Sequence, residues 1–63
     1  MCESTAYWHT EAGDERIMDS VVFVLLANGE ILLEDILGER IQVRGEIEEI
    51  KLLEHKILLR QQQ

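Results

Sequence analysis

Cys2 is the residue of this chain best suited to chemistry. It is the single cysteine among 63 residues, so it can neither close a disulfide within the chain nor join other cysteines in a zinc site. Its thiolate, its backbone amide and the α-amine of Met1 can all turn toward one metal ion. Mixed nitrogen and sulfur donors suit Ni(II) and Cu(II). One chain supplies too few donors, so two copies of Cys2 meeting at a dimer axis would complete the site.

The alternatives for Cys2 are an idle thiol and a catalytic nucleophile. A catalytic thiol needs a histidine base and an oxyanion hole. The chain has two histidines, His9 and His55, and neither stands in a catalytic motif. In a continuous strand His9 points to the face opposite Cys2, which predicts a surface residue near a turn. His55 falls in a connection, and the sequence leaves open whether either histidine adds a metal ligand.

The remaining polar and aromatic residues do not indicate a catalytic or ligand-binding site. Glu48, Glu49 and the acids around Asp35 form a solvated face, and they lack the spacing of a calcium loop. Tyr7 and Trp8 are adjacent, so in a strand they face opposite sides and cannot make one stacking platform for bases. Phosphate-binding and nucleophile-elbow motifs are missing from the sequence. We therefore predict that the protein is not an enzyme.

Length and charge limit the architecture and the partners. We expect a single small domain over residues 1–63. The net charge of -7, with six scattered basic residues, argues against nucleic acid and anionic membranes as partners. The longest apolar run, 21–27, is far shorter than the roughly 18 residues of a membrane span, and the start does not resemble a signal peptide. These features predict a cytoplasmic protein.

Turn signals divide the chain into short segments with strand chemistry. We expect turns at residues 11–14, at Asn28-Gly29, at 37–39 and at 44–46. Between them lie a strand within residues 2–10 with Ala6 and Trp8 on one face, a hairpin of 21–26 with 30–34, and an alternating strand at 40–44. All four glycines stand where a positive φ would be useful.

The tail from Glu46 to Arg60 has two interpretations. Ile47, Ile50, Leu53 and Ile57 recur at helical spacing, so an amphipathic helix or a C-terminal helical turn is one alternative. The alternation of 56–60 instead favours two strands, 47–53 and 56–59, joined at Glu54-His55, and we prefer the strands.

Five or six short strands in so small a chain predict an all-β fold, a small SH3-like β-barrel, because closure removes exposed strand edges. The segment 21–26 is apolar on both faces, whereas a barrel this small buries one face. An outward set of Val22, Val24 and Leu26 would therefore need a cover, which predicts a homodimer.

Six short segments together form a recognisable pattern: Met1-Cys2, Asp19-x-Val21, Asn28-Gly29-Glu30-Ile31, Asp35-Ile36-Leu37-Gly38-Glu39, Val43-x-Gly45-x-Ile47-x-x-Ile50 and His55-Lys56-Ile57. This pattern resembles the CooT family, small nickel-binding accessory proteins linked to carbon monoxide dehydrogenase maturation. Some relatives have been labelled predicted RNA-binding proteins.

The resemblance implies an SH3-like barrel that forms a homodimer and binds Ni(II) through the cysteine after the initiator methionine, here Cys2. It also implies a nickel enzyme or its maturation proteins as partners. Glu3-Ser4-Thr5 and Tyr7-Trp8-His9 depart from the family pattern. A metal-free protein–protein interaction module and an RNA-binding barrel remain the alternatives, and the acidic charge argues against the second.

Overall fold

The computed structural model describes residues 3–61, so the predicted metal ligands Met1 and Cys2 lie outside the described residues. Five strands make up the fold: β1 (Ser4–Thr10), β2 (Gly13–Ala27), β3 (Glu30–Asp35), β4 (Arg40–Lys51) and β5 (Lys56–Gln61). Within residues 3–61 no helix is long and apolar enough to cross a membrane.

The strands close into a barrel in chain order, which confirms the all-β prediction. Each consecutive pair of strands is antiparallel. The barrel is closed by β1 and β5, which run parallel with Thr5 opposite Lys56 and Trp8 opposite Leu59. Closure therefore joins the first and last strands of the chain and leaves the β4–β5 turn beside the start of β1.

The turn at Asn28-Gly29 follows directly from its residue types. Both residues have positive φ, 53° and 77°, as a type I′ hairpin turn requires. Asparagine and glycine adopt that conformation at low cost, so the turn holds β2 and β3 in register with Leu26 opposite Ile31. The predicted turn at 37–39 is confirmed as well, whereas the turn predicted at 11–14 is limited to 11–12 because β2 begins at Gly13.

Two long strands, rather than uniformly short ones, build most of the barrel. β2 begins at Gly13, eight residues before the predicted strand, and pairs first with β1 and then with β3. Irregularities in its pairing with both neighbours bend it, and Ser20 has a positive φ of 55°. The bends allow one strand to serve two parts of a closed sheet.

The predicted turn at 44–46 is wrong, because β4 runs through Gly45 without interruption. Gly45 is buried opposite Gln61, and its φ is not positive. A Cβ there would be closer than 3.0 Å to the Arg60 carbonyl oxygen and 3.2 Å from Cζ3 of Trp8. The glycine provides space for β5 and Trp8 to approach the β4 backbone.

The tail forms strands, as preferred, and residues 46–60 contain no helical turn. The helical spacing arises from a different cause. A register shift between Ile47 and Glu49 leaves Glu48 as the extra residue of β4, and the chain turns at 52–55. Ile47 and Ile57 therefore pack at the core whereas Ile50 and Leu53 are exposed, which no single amphipathic helix would produce.

The core is formed by buried residues of four strands, and β4 packs against it through the half-buried Ile41, Val43 and Ile47. The residues that make up the buried cluster are Ala6, Met18, Val21, Ile31, Leu33, Ile57 and Leu59. Trp8 is half-buried and packs against this cluster, and Ala6 is fully buried on the same face of β1, as the alternation predicted. On β5, Leu58 is also buried, next to Tyr7 of β1.

Candidate functional site

The start of β1 is the part of the described structure nearest to Cys2 in the sequence. Ser4, two residues after Cys2, is paired with Val21 of β2. On the other side, the Thr5 amide donates a hydrogen bond of 2.9 Å to the carbonyl oxygen of His55. The start of β1 is thus held between β2 and the β4–β5 turn.

Side chains around the start of β1 are polar and paired. The Thr5 hydroxyl donates to Oδ1 of Asp19 at 3.3 Å, and the Arg16 guanidinium bonds the other oxygen of the same carboxylate. On the opposite side, Nζ of Lys56 lies 5.7 Å from the centre of the Tyr7 ring, within cation–π range. These contacts fix the first residues of β1 against both neighbouring strands.

The β4–β5 turn presents apolar side chains beside this region. Leu52 and Leu53 are 77% and 98% exposed. The turn is held by the His55 amide, which donates to the Leu52 carbonyl oxygen at 3.2 Å. His55 itself is exposed and has a positive φ of 56°. The backbone of this turn is therefore held by a hydrogen bond, while its two leucine side chains are exposed to solvent.

An apolar strip, called here the β2 strip, consists of Val22, Phe23 and Leu25 and follows the residue that pairs with Ser4. Phe23 and Leu25 are 46% and 48% exposed, and Leu25 lies directly opposite the half-buried Leu32 of β3. The β2 strip thus begins beside the start of β1.

The predicted outward set of Val22, Val24 and Leu26 is wrong at Val24, which packs against the core. The register shift between Val21 and Phe23 changes the alternation, so Phe23 and Leu25 face outward instead. Val22 and Leu26 are exposed as expected. No local sequence signal marks the shift.

His9 is an exposed residue near the end of β1, which confirms the prediction for it. Its Nδ1 lies 2.9 Å from Oδ1 of Asp14, its partner across the β1–β2 hairpin. This hydrogen bond, together with the negative charges of Glu48 and Glu49, raises the pKa of His9 above 6.5. The structure therefore separates the two histidines: His55 lies beside the start of β1 and His9 at its other end.

We expect the His9–Asp14 pair to add stability only while His9 is protonated. Because the folded-state pKa is raised above the unfolded value of 6.5, this contribution is fully present below pH 6.5 and is lost as the pH rises through the folded pKa. An NMR titration should give a His9 pKa above 6.5 that moves down in Asp14→Asn. An unchanged pKa in that variant would contradict the assigned cause.

Basic side chains are mostly engaged by carboxylates. Among residues 3–61 the ion pairs that involve Arg or Lys are Arg16–Asp19, Arg40–Glu34, Arg44–Glu30, Lys56–Glu54 and Arg60–Glu46. Nucleic-acid binding depends on clustered positive charge that phosphates can reach. The arrangement seen here intersperses the positive charges with negative ones.

Residues 3–61 contain no group of three or more His, Cys, Asp or Glu side chains arranged to hold a metal ion. The donors predicted from the sequence, Cys2 and Met1, precede the described residues.

Comparisons with known proteins agree with this architecture. Residues 1–60 match the family model of the CO dehydrogenase accessory protein CooT. The fold is similar to the crystal structure of a protein assigned as CooT from Carboxydothermus hydrogenoformans, with a TM-score of 0.92 and 27% sequence identity over 98% of this chain and 100% of that one. No curated protein matches the sequence.

Proposed function

Because the chain belongs to the CooT family of CO dehydrogenase accessory proteins, we propose that it is a non-enzymatic nickel carrier or nickel buffer. In this proposal Ni(II) is cargo and is bound by Cys2 at a homodimer interface, with Met1 beside it. The observation that carries the proposal is the position of the start of β1, two residues after Cys2, next to the exposed β2 strip.

The chemistry of the available donors supports a thiolate site. Cys2 is the one thiol in the sequence, and Ni(II) accepts a thiolate together with nitrogen donors. One sulfur cannot hold the ion alone, and residues 3–61 supply no ready-made cluster. A second copy of the chain supplies a second Cys2, so dimerisation and metal binding are linked in this proposal.

The β2 strip supports the homodimer. A stable interface buries about 800 Å² per partner, roughly a sixth of the 4709 Å² of accessible surface here. An apolar strip on a surface with a net charge of -7 is best covered by an equally apolar strip. Since the strip begins one residue after Val21, the partner of Ser4, an interface built on it lies close to the start of β1 in each copy.

The accessory role points to a nickel enzyme or its maturation proteins as the partner that receives the metal. A thiolate carrier needs a compartment that keeps its cysteine reduced, so we place the protein in the cytoplasm. Release of the ion does not require a catalytic group, because protonation of the thiolate or transfer to stronger ligands removes it.

We expect Cys2→Ser to lose nickel binding. A serine hydroxyl is a poor ligand for Ni(II), so the dissociation constant should rise beyond the roughly 10- to 100-fold that loss of an outer-shell partner costs. Calorimetric titration of both proteins with Ni(II) measures this, and the sulfur-to-nickel charge-transfer band should disappear. Equal affinity in the two proteins would defeat the proposal.

A metal-free protein–protein interaction module is the second candidate, and the exposed Leu52 and Leu53 favour it. Such a module would bind its partner in the presence of a chelator and with Cys2 replaced. In the nickel-carrier proposal, Cys2→Ser has a measurable defect in metal affinity even when no partner is present. The two candidates therefore differ in an experiment on the isolated protein.

A further inference from the structure

A groove of about 440 Å³ lies where β2 bends, and its lining includes neither the β2 strip nor the β4–β5 turn. It is called here the bend groove. We propose that it binds an extended segment of another protein in which an aliphatic side chain stands between basic ones. The proposal requires neither nickel nor Cys2, so it is independent of the nickel carrier proposed above.

The bend groove exists because β2 changes its neighbour. Residues 13–18 pair with β1 alone, whereas residues 23–27 pair with β3 alone. Asp19 and Ser20 lie between these two parts, and Ser20 has a positive φ of 55°. A strand that bends in this way diverges from its neighbours. Residues of β2 form one wall of the resulting groove, and the β3–β4 loop forms the other.

The loop wall is held in a fixed shape. The Ile36 amide donates to the Ser20 carbonyl oxygen at 2.9 Å, which attaches the loop to β2. Oδ1 of Asp35 accepts hydrogen bonds from the amides of Leu37 and Glu39, both at 2.9 Å. Binding therefore does not require the loop to be ordered first, a step that would otherwise weaken the affinity.

The bend groove offers apolar surface that the core does not bury. Leu37 and Ile36 on the loop wall are 83% and 50% exposed. Ile17 and Ile41 are half-buried, since they pack against the core and also line the groove. An aliphatic side chain placed between these residues and Leu37 would remove apolar surface from water on two sides.

Carboxylates in the lining select the charge of the partner. Asp35 and Glu39 line the groove and make no ion pair with a basic side chain of residues 3–61, whereas Asp19 is paired with Arg16. A second copy of the chain would bring the same carboxylates and a net charge of -7, so like charges would meet. Charge complementarity therefore favours a basic segment of a different protein.

An extended segment fits the two kinds of lining. In an extended chain, alternate side chains project to the same face about 7 Å apart. One aliphatic side chain can then lie against Ile41 and Leu37, while basic side chains two positions before and after it pair with Asp35 and Glu39. The β2 strip lacks charged residues, which is why the same reasoning assigns a second copy of the chain to the strip and a basic partner to the groove.

The probe for this proposal is the capped pentapeptide Arg-Ser-Leu-Ser-Arg, titrated into isotopically labelled, metal-free protein and followed by NMR. We expect saturable shifts of the amide signals of residues 17–20 and 35–41. Replacing the leucine of the peptide by serine should weaken binding about tenfold, because burial of the aliphatic side chain is lost. Replacing both arginines by glutamine should weaken it about fivefold at low salt.

Two variants of the protein test the two kinds of lining. We expect Leu37→Ser to weaken peptide binding about tenfold and Glu39→Gln to weaken it about two- to fivefold. The matched controls are Leu53→Ser and Glu11→Gln, which alter exposed residues outside the groove and should leave the affinity unchanged. All four side chains are exposed, and circular dichroism and Tm verify that the fold is kept.

Three outcomes would overturn the proposal. The first is a titration without saturable shifts, or with shifts centred outside the bend groove. The second is equal weakening by Glu11→Gln and Glu39→Gln, which would indicate a non-specific attraction of the basic peptide to an acidic protein. The third is a lower mass of Leu37→Ser in light scattering, which would assign the groove to a second copy of the chain. Nickel binding at Cys2 is measured separately and is unaffected by any of these results.

Discussion

Gly45→Ala is expected to remove most of the stability of this protein. The new Cβ would be closer than 3.0 Å to the Arg60 carbonyl oxygen and 3.2 Å from Cζ3 of Trp8. The first contact is with backbone, which cannot rotate away, so β4 and β5 would have to separate at their pairing. We expect the free energy of unfolding to fall by about 3 kcal/mol, which lowers Tm by roughly 15 °C. A single core of this size supplies no more than roughly 3–5 kcal/mol.

Gly38→Ala is the control for this prediction. Nothing lies within 4 Å of the position that its Cβ would occupy, and its φ is 88°. Only the conformational cost then applies, about 1–2 kcal/mol. Denaturant unfolding of both variants should therefore rank Gly45→Ala as the more harmful. The reverse order would show that β5 does not approach Gly45 as described.

Leu25→Glu is expected to convert the proposed homodimer into monomers. Leu25 is the last residue of the β2 strip, 48% exposed and opposite Leu32. A carboxylate buried there without a partner loses its hydration, and the symmetry of the dimer would bury two of them. A cost of at least about 3 kcal/mol raises the dimer dissociation constant roughly a hundredfold. Light scattering and sedimentation at micromolar concentration measure this change.

Ala12→Glu controls for the added charge, because Ala12 is exposed in the β1–β2 turn at the other end of β2. It should leave the oligomeric state unchanged. Since the proposed metal site is shared between protomers, Leu25→Glu should also weaken Ni(II) binding while Ala12→Glu does not. An unmodified protein that is monomeric, or a Leu25→Glu variant that still dimerises, would show that the β2 strip is not the interface.

Several exposed features of the described residues lie together beside the start of β1. The β2 strip, the β4–β5 turn with Leu52 and Leu53, and His55 all lie next to the start of β1. A carrier that releases its metal to another protein benefits from apolar contacts near the ion, because docking and transfer then occur at the same place. The exposed leucines of the turn are the part of this surface that the proposed dimer does not explain.

The types and order of neighbouring residues were sufficient to predict several parts of the fold. Asn28-Gly29 forms its hairpin turn because these two residues adopt positive φ at low cost. Alternation placed Ala6 and Trp8 on the inner face of β1, since side chains of a strand alternate with period two. The short motifs that begin with Met1-Cys2 indicated the family.

Contacts between distant residues decided the rest. The sequence predicts a turn at Gly45, but this residue lies within β4. There the Arg60 backbone and the Trp8 ring leave no space for a side chain. The register shifts at Val21/Phe23 and Ile47/Glu49 are needed to bend long strands around a closed barrel, and they set which of Val24, Leu25 and Ile50 face the core. Closure by β1 and β5 places His55 beside Thr5. A turn depends on the torsions of two or three neighbours, whereas register and closure depend on how all five strands share one core.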